Sequence, residues 1–395
     1  MKICDLALFS PETSSGVKTY ITSKVEYART RDEIDHVVIV PGRTPGVEIQ
    51  GRSKVVVVRG VPSFYPGIRI AVNPWTVAEI VERERPDIIE LNCQYTLPWA
   101  AFLATRHSRT PIVGVYHTDV PACVRHIARG VGDTIAAAAE RLTEWYEGLI
   151  YRHCTMTIYL NPGLRHRLER LGVDRMCCLP CGVDARTFSF SRRDPEWRAR
   201  LGIGPDSTVL LYVGRLSPEK EMDVLFDAYQ QLPGRQFVLA IVGDGPDAEA
   251  TSRYARTHAG VRYLGHIESR DALATAYASS DIFLSPGRHE TFGMATLEAI
   301  SSGLPVVGIA GSGTASFVPQ EIGVLVGAGA SAEFAHAILA VSSWPLDSLR
   351  AECHAFAAAR YGWEGVFDRY FEVYRRVIED AHRGVTRRAE ERASA

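Results

Sequence analysis

Short apolar runs and amphipathic segments alternate along the first half of the chain. The runs are typical of buried parallel strands, whereas the segments repeat apolar residues every three or four positions, as helices do. The predicted strands span residues 3–9, 37–40, 55–59, 88–91, 112–116 and 155–160. The predicted helices span residues 17–29, 74–83, 98–107, 134–152 and 162–171. This alternation predicts a parallel sheet covered by helices.

The same alternation starts again after a turn-rich segment at residues 179–184. The predicted strands of this second half span residues 209–213, 237–242, 262–264, 282–284, 306–309 and 324–326. The predicted helices span residues 221–231, 247–258, 270–279, 294–302, 332–341 and 346–359. A chain of 395 residues is long enough for two domains of ordinary size. We therefore predict two α/β domains, residues 1–182 and 183–362.

The C-terminal part of the chain continues as one long amphipathic helix, predicted over residues 363–382. Its apolar positions carry the aromatic residues Trp363, Phe367, Tyr370, Phe371 and Tyr374. From residue 383 to residue 395 the chain is charged and rich in alanine, which predicts a frayed or disordered tail.

Composition narrows the possible classes of protein. The hydrophobic share of 46% is normal for a globular protein, and the net charge of −2 favours neither nucleic acid nor a membrane surface. Asp5 interrupts the only early apolar run, so no signal peptide is expected. No stretch approaches the roughly 20 apolar residues of a membrane helix. We expect a cytoplasmic protein that does not bind nucleic acid.

The chain has eight cysteines, and several lie in apolar, strand-like runs that suggest reduced core residues. Cys177, Cys178 and Cys181 could form half of a metal site. No second Cys/His pair at zinc spacing lies nearby, so a strand followed by a turn is the preferred interpretation, and no metal is expected.

The stretch from 281 to 305 carries the most informative polar residues. A short apolar run predicts a strand, and a polar loop separates it from the start of a helix, where free backbone N–H groups favour an anion. Glu290 lies in this loop, and Glu298 lies eight positions later, inside the helix. If the loop folds over the helix start, both carboxylates can face one ligand.

A second loop, after the strand at 209–213, carries two cations. Arg215 and Lys220 follow Gly214, and such fixed cations stabilise the charge that develops on a departing diphosphate without a metal ion. The alternative is a solvated lysine paired with a neighbouring glutamate. Two carboxylates alone would also suit a glycoside hydrolase, but a hydrolase has no diphosphate to bind.

Three further positions follow predicted strands. His117 lies at the carboxyl end of the strand at 112–116, where open α/β sheets place ligands, although a lone histidine there is more often structural. Gly16, in the loop at 10–20, permits close approach of a ligand to a helix start; an ordinary loop with a serine cap is the alternative. Gly243 begins a Gly-Asp-Gly-Pro turn, which either supports a nucleotide or is a plain turn.

Together these motifs resemble those of the retaining nucleotide-sugar glycosyltransferases of family 4. Glu290 and Glu298 match the E-x7-E signature of that family, and the segment 180–184 followed by Phe188 matches its interdomain linker. Gly16 alone stands where members commonly have two adjacent glycines. The resemblance implies the GT-B fold, which is an α/β fold of two Rossmann-like, doubly wound domains facing a cleft, with a C-terminal helix returning to the first domain.

The resemblance also implies roles for individual residues. His117 would reach the transferred sugar near its 6-hydroxyl. From its position two residues later, we expect Asp119 either to orient His117 or to meet the acceptor. Glu298 would bind the ribose hydroxyls, and Glu290 would contact the sugar and stabilise its oxocarbenium-like state. The implied catalytic residues are His117, Glu290, Arg215 and Lys220. The implied donor-binding residues are Gly16, Gly214, Arg215, Lys220, Gly243, His266, Glu290, Thr291, Phe292, Gly293 and Glu298.

The implied reaction moves a hexosyl group from a UDP- or GDP-linked sugar to an acceptor hydroxyl, with retention and without a metal or other cofactor. The segment 116–121 together with Ser15 and Gly16 looks most like lipid-sugar, mannosyl or sulfoquinovosyl transferases, so the acceptor is either a lipid or a glycan precursor. A GT-B epimerase or hydrolase of nucleotide sugars, or a non-catalytic homologue that binds them, is the alternative.

Basic residues among apolar ones in the segment 124–152 raise the question of membrane contact. An interfacial amphipathic surface there would place the protein on the inner face of a membrane. A helix packed on the sheet with a solvated outer face is the preferred interpretation.

Overall fold

The computed structural model describes residues 1–9, 15–63, 69–234 and 236–393. The strands in these residues are β1 Lys2–Ala7, β2 Asp35–Gly42, β3 Gly46–Gln50, β4 Ser53–Pro62, β5 Arg69–Ala71, β6 Ile88–Asn92, β7 Ile112–Tyr116, β8 Met156–Tyr159, β9 Met176–Cys178, β10 Thr208–Val213, β11 Phe237–Val242, β12 Val261–Gly265, β13 Ile282–Ser285, β14 Val306–Ile309 and β15 Gly323–Val326.

The α-helices in the same residues are α1 Gly16–Arg29, α2 Pro74–Glu84, α3 Leu97–Ser108, α4 Val120–Ala128, α5 Asp133–Arg152, α6 Arg165–Arg170, α7 Pro195–Arg200, α8 Met222–Gln230, α9 Ala248–Thr257, α10 Arg270–Ala278, α11 Met294–Ser301, α12 Ser331–Ser342, α13 Leu346–Tyr361 and α14 Trp363–Ala393. Strands and helices alternate in both halves of the chain, so the predicted α/β class is confirmed.

The chain divides into two compact units. The first comprises Met1–Pro121, Ala137–Pro180 and Trp363–Ala395, and the second comprises Ala122–Ala136 and Cys181–Gly362. Each unit has its own sheet.

The sheet of the first unit has the strand order β3-β4-β2-β1-β6-β7-β8-β9, with β5 paired to β4. Strands β2, β1, β6, β7, β8 and β9 run parallel, and β3 and β5 pair antiparallel with β4. One face of the sheet is buried under α2 and α3, where Leu6, Ile39, Ile89, Val77 and Ala100 pack in one cluster. The inner strands β6 and β7 are buried along their whole length, as strands covered on both faces are.

The sheet of the second unit is parallel throughout, with the strand order β12-β11-β10-β13-β14-β15. Its core contains Leu210, Leu239, Ile282, Phe334 and Ile338. The order changes direction between β10 and β13. Open α/β sheets bind ligands outside the carboxyl ends of the strands at such a switch point. The loops that follow β10 and β13 are the two that carry the predicted cations and Glu290.

Several elements were not predicted. Strands β3 and β5 and helix α7 had no clear pattern, because β3 is largely exposed and the other two are short. Helix α4 falls only partly within the segment 124–152, for which a helix was the preferred interpretation. Helix α14 packs on α1, where Phe367 lies 5.4 Å from Tyr27 between ring centroids. The helix runs to Ala393, into the segment predicted as a frayed tail, and Arg383 pairs there with Asp380 one turn earlier.

Candidate functional site

The loop after β10 is fixed by its own backbone and by the neighbouring strand ends. The Tyr212 hydroxyl donates to the carbonyl oxygen of Arg215 at 3.0 Å, and the Leu216 N–H donates to the carbonyl oxygen of Asp244 at 2.9 Å. The loop ends in a short turn of 3-10 helix at Pro218–Lys220. This arrangement holds Lys220 at the carboxyl edge of the sheet.

Lys220 and Glu290 form an ion pair at this edge. The Lys220 Nζ lies 2.5 Å from Glu290 Oε2, although 70 residues separate them in the chain. Their side chains are only 22% and 27% exposed. Burial alone would lower the pKa of Lys220, but the nearby carboxylate of Glu290 outweighs it and raises the pKa above the ordinary lysine value. Lys220 therefore carries a full charge.

A second pair joins the same two loops. Glu221 adopts a left-handed backbone conformation, with φ of 53°, and its carboxylate accepts from the backbone N–H of Arg288 at 2.9 Å and from Arg288 Nε at 2.6 Å. A Cβ on Gly287 would lie 3.3 Å from the Lys220 Cα, so the backbones pass closely. These contacts fix the two loops to each other, and they keep the side chains of Lys220 and Glu290 close together.

The loop that carries Glu290 is packed tightly onto the start of α11. Gly293 has φ of 98°, and a Cβ there would lie 2.6 Å from Thr314 Oγ1. The Gly313 N–H donates to the carbonyl oxygen of Glu290 at 2.6 Å. The ring of Phe292 is 3% exposed and stacks on Phe317, so this residue can offer a ligand only its backbone.

Glu298 lies inside α11 and is largely buried. The hydroxyl of Tyr277 donates to its Oε2 at 3.2 Å. Burial raises the pKa of Glu298 to about 7, and the positive charge of Arg270 opposes this rise only in part. The carboxyl group is thus poised to ionise near neutral pH and to accept hydrogen bonds from a ligand.

Glycines at the neighbouring strand ends allow the backbone to pack closely. Gly243 has φ of 147°, and a Cβ there would lie 1.9 Å from the carbonyl oxygen of Gly214. The Gly243 N–H donates to the carbonyl oxygen of Gly265 at 2.8 Å, and His266 follows as an exposed residue. This packing alone explains why glycine stands at 243, which favours the plain-turn interpretation of that motif.

His117 follows β7 in the first unit. Its Nε2 lies 2.7 Å from Asn92 Oδ1, and its ring meets that of Tyr20 edge-on at 5.0 Å. Burial, reinforced by the positive charge of Lys24, lowers the pKa of His117 to about 3. The imidazole is therefore neutral. Asp119 forms an ion pair with Arg167.

Gly16 is the first residue of α1 and is exposed. Ser15 caps this helix, because its Oγ accepts from the Lys18 N–H at 3.2 Å. This cap agrees with the alternative interpretation of the segment, an ordinary loop that ends in a serine cap. Residues 10–14 of the predicted ligand loop lie outside the described residues.

Several polar partners of the candidate residues were missed by sequence reasoning. Asn92 contacts His117, Tyr277 contacts Glu298, and the Glu221–Arg288 pair joins the two loops. Asn92 lies 25 residues from His117, Tyr277 lies 21 residues from Glu298, and Arg288 lies 67 residues from Glu221 along the chain. No local pattern marks such pairs. Among the described residues, no group of three or more His, Cys, Asp or Glu is placed to hold a metal ion.

Comparison with known proteins places the chain in a family. Two family profiles match in tandem, Glycosyltransferase Family 4 over residues 14–187 and Glycosyl transferases group 1 over residues 193–360. A GDP-mannose-dependent alpha-mannosyltransferase of Mycobacterium tuberculosis is 31% identical over 83% of this chain and 83% of its own length. The chain belongs to glycosyltransferase family 4.

A further relative and a solved structure cover nearly the whole of this family 4 glycosyltransferase. The GDP-mannose-dependent alpha-(1-6)-phosphatidylinositol dimannoside mannosyltransferase of M. tuberculosis is 28% identical over 92% of this chain and 93% of its own. Among solved structures, sucrose-phosphate synthase of Thermosynechococcus elongatus matches with a TM-score of 0.79, 20% identity and coverage of 96% and 99% of the two chains. The family membership and the GT-B fold that the sequence predicted are confirmed. In the part of the chain that the structure describes, no helix has the length and apolar character needed to cross a bilayer.

Proposed function

We propose that this glycosyltransferase moves a mannosyl group from GDP-mannose to a hydroxyl of a lipid-linked acceptor, with retention of configuration and without a divalent metal. The observation that carries the proposal is the close pairing of Lys220 with Glu290 at the switch point of the second sheet. The choice of GDP-mannose is supported by the names of the relatives, two of which depend on that donor.

The charges of the second unit suit a nucleotide sugar. Lys220 is fully charged and partly buried, so a diphosphate could replace Glu290 as its partner at little cost in reorganisation. Arg215 would supply the second cation. Glu290, once released, would accept hydrogen bonds from the sugar, and Glu298 would accept them from the ribose hydroxyls.

The proposed chemical step needs no separate base. The bond between the anomeric carbon and the diphosphate oxygen breaks, and the acceptor oxygen bonds to the same carbon from the same face. The acceptor proton passes to the departing phosphate oxygen. Lys220 and Arg215 would stabilise the negative charge on that phosphate, which is a role that Mg²⁺ has in other phosphate chemistry.

The first test is a panel of nucleotides measured by calorimetry in the presence of EDTA. We expect GDP to bind at least about tenfold more tightly than UDP or ADP, because hydrogen bonds that fit guanine alone would contribute about 1.4 kcal/mol or more. Incubation of GDP-mannose with phosphatidylinositol-based acceptors should then give a mannosylated lipid, with an α-anomeric proton by NMR.

Other outcomes point to the competing functions. Release of free mannose in the absence of an acceptor would indicate a hydrolase, and failure to bind any nucleotide would indicate a non-catalytic homologue. A requirement for Mg²⁺ or Mn²⁺ would contradict the proposed reliance on Arg215 and Lys220.

A lipid-linked acceptor also implies contact with a membrane, and we propose that exposed apolar residues of the first unit make it. On α5, Leu142 is 65% exposed and Trp145 is 59% exposed. On α3, Trp99 is 41% exposed, and its Nε1 donates to the hydroxyl of Tyr146 on α5 at 2.9 Å. Large apolar side chains grouped in this way are typical of an interaction surface.

The double substitution Leu142→Ser and Trp145→Ser should weaken binding to phosphatidylglycerol vesicles at least about tenfold, since each buried apolar side chain contributes about 1.5–3 kcal/mol. Co-sedimentation with vesicles measures the effect. The matched control is the double substitution Val47→Ser and Ile49→Ser. Both residues are exposed and apolar, but they lie on β3 and not on α3 or α5. Equal losses in the two double variants would exclude a specific surface on α5.

A further inference from the structure

A buried cluster of charges lies inside the first unit. Asp5 and Glu90 stand opposite each other on the paired strands β1 and β6. The Lys24 Nζ lies 2.9 Å from Asp5 and 3.0 Å from Glu90, and all three side chains are fully buried. Apolar residues of the same volume often stabilise a core as well as a buried ionic cluster does. Stability of the fold alone therefore does not explain why these charged residues are present.

The cluster continues toward His117 through one amide. Asn92 lies two residues after Glu90 on β6, so the two side chains share a face of the strand. The Asn92 Nδ2 donates to Glu90 Oε1 at 3.0 Å, and the hydroxyl of Tyr20 donates to the same oxygen at 3.1 Å. Glu90 thus receives hydrogens from Asn92, Tyr20 and Lys24. Because the Asn92 nitrogen faces Glu90, its carbonyl oxygen faces the imidazole of His117.

A carbonyl oxygen can only accept a hydrogen bond. The contact of 2.7 Å between Asn92 Oδ1 and His117 Nε2 therefore requires the proton of the neutral imidazole to be on Nε2. Nδ1 then carries a lone pair, and it has no hydrogen-bond partner among the residues that the structure describes.

We infer that Asn92, oriented by Glu90, is a positioning residue that holds His117 with its hydrogen on Nε2, so that the Nδ1 lone pair is left to accept a hydrogen bond from a hydroxyl of a ligand. This inference rests on the proposed function for the identity of the substrate. A lone pair accepts a hydrogen bond from a sugar hydroxyl and repels a carboxylate at the same place. His117 would accordingly select a hexose over the corresponding uronic acid, and it would not act as a general acid.

The direct test is proton–nitrogen NMR of the full chain labelled with ¹⁵N-histidine. The wild-type protein should show a His117 Nε2–H signal protected from exchange with water, assigned by its loss in His117→Asn. Asn92→Ala should speed that exchange at least tenfold. Asn92→Ser has a polar side chain that is too short to reach the ring, so it should speed the exchange of the Nε2–H as much as Asn92→Ala does. This variant replaces Asn92→Ala in the test if the alanine variant does not fold.

Gln94→Ala is the matched control. Gln94 is also a buried amide, and its Nε2 donates to the carbonyl oxygen of Thr118 at 3.1 Å without contacting the imidazole. The control should keep the protected signal. Three results would overturn the inference. The wild type could show no protected His117 signal, the signal could belong to Nδ1–H instead of Nε2–H, or the signal could stay protected in Asn92→Ala.

Kinetics supply the second measurement. Asn92→Ala should lower kcat/KM for GDP-mannose by about as much as His117→Ala does, and the double variant should lose no more than either single one, because both remove the same contact. Additive losses would mean that Asn92 acts on the fold rather than through His117. If the wild type transfers no sugar, the proposed function fails, while the NMR result still decides whether Asn92 holds the imidazole.

Discussion

Lys220→Ala should lower kcat/KM by about 100- to 1,000-fold, which is the usual loss when one fixed group that stabilises transition-state charge is removed. In the proposed function the charge on the leaving diphosphate grows as the glycosidic bond breaks, so its interaction with Lys220 would strengthen in the transition state. Most of the loss should therefore appear in kcat. Calorimetry should also show weaker binding of GDP.

The design of this experiment must separate lost charge from local unfolding. Lys220→Ala leaves Glu290 without its 2.5 Å partner, so Glu290→Gln and the double variant are measured beside it. Lys54→Ala is the control for loss of a lysine, because Lys54 pairs with Glu84 in the first unit. A loss of less than about threefold in the Lys220 variant, with its thermal stability unchanged, would show that another group binds the phosphate.

The architecture of the second unit could be predicted from the sequence because its physical cause is local. A strand that is buried on both faces must be apolar throughout, and the residues from Phe237 to Val242 satisfy that condition at both ends of β11. The predicted strand over these residues and the observed one have the same bounds. Strand β3, at the edge of the sheet of the first unit, has no such apolar run, since its side chains are exposed or half-buried.

The candidate site could be predicted only in part, for a related reason. Strand ends and glycines mark where ligands approach a parallel sheet, and this rule led to Lys220, Glu290 and His117. The partners that orient these residues come from distant segments. Asn92 is 25 residues from His117, and Arg288 is 67 residues from Glu221. A contact of this kind depends on which strands are neighbours, and a single sequence does not show that order.

Binding of GDP-mannose should tighten about tenfold between pH 6 and pH 8, because in the proposed function Glu298 must be ionised to accept hydrogen bonds from two ribose hydroxyls. Its pKa is about 7 without ligand, so at pH 6 most molecules must first lose a proton, and at pH 8 few must. The diphosphate of GDP-mannose is esterified at both ends and does not itself titrate in this range. Calorimetry at constant ionic strength measures the dependence.

Glu298→Gln decides whether this carboxylate is the cause. The variant should bind GDP-mannose about 30-fold more weakly at pH 8, because a hydrogen bond to a charged group contributes about 2 kcal/mol. Its affinity should also be independent of pH, since glutamine does not titrate. Glu290→Gln should retain the pH dependence. If the slope is unchanged in the Glu298 variant, another ionisable group controls donor binding, and the ribose contact must be assigned to a different residue.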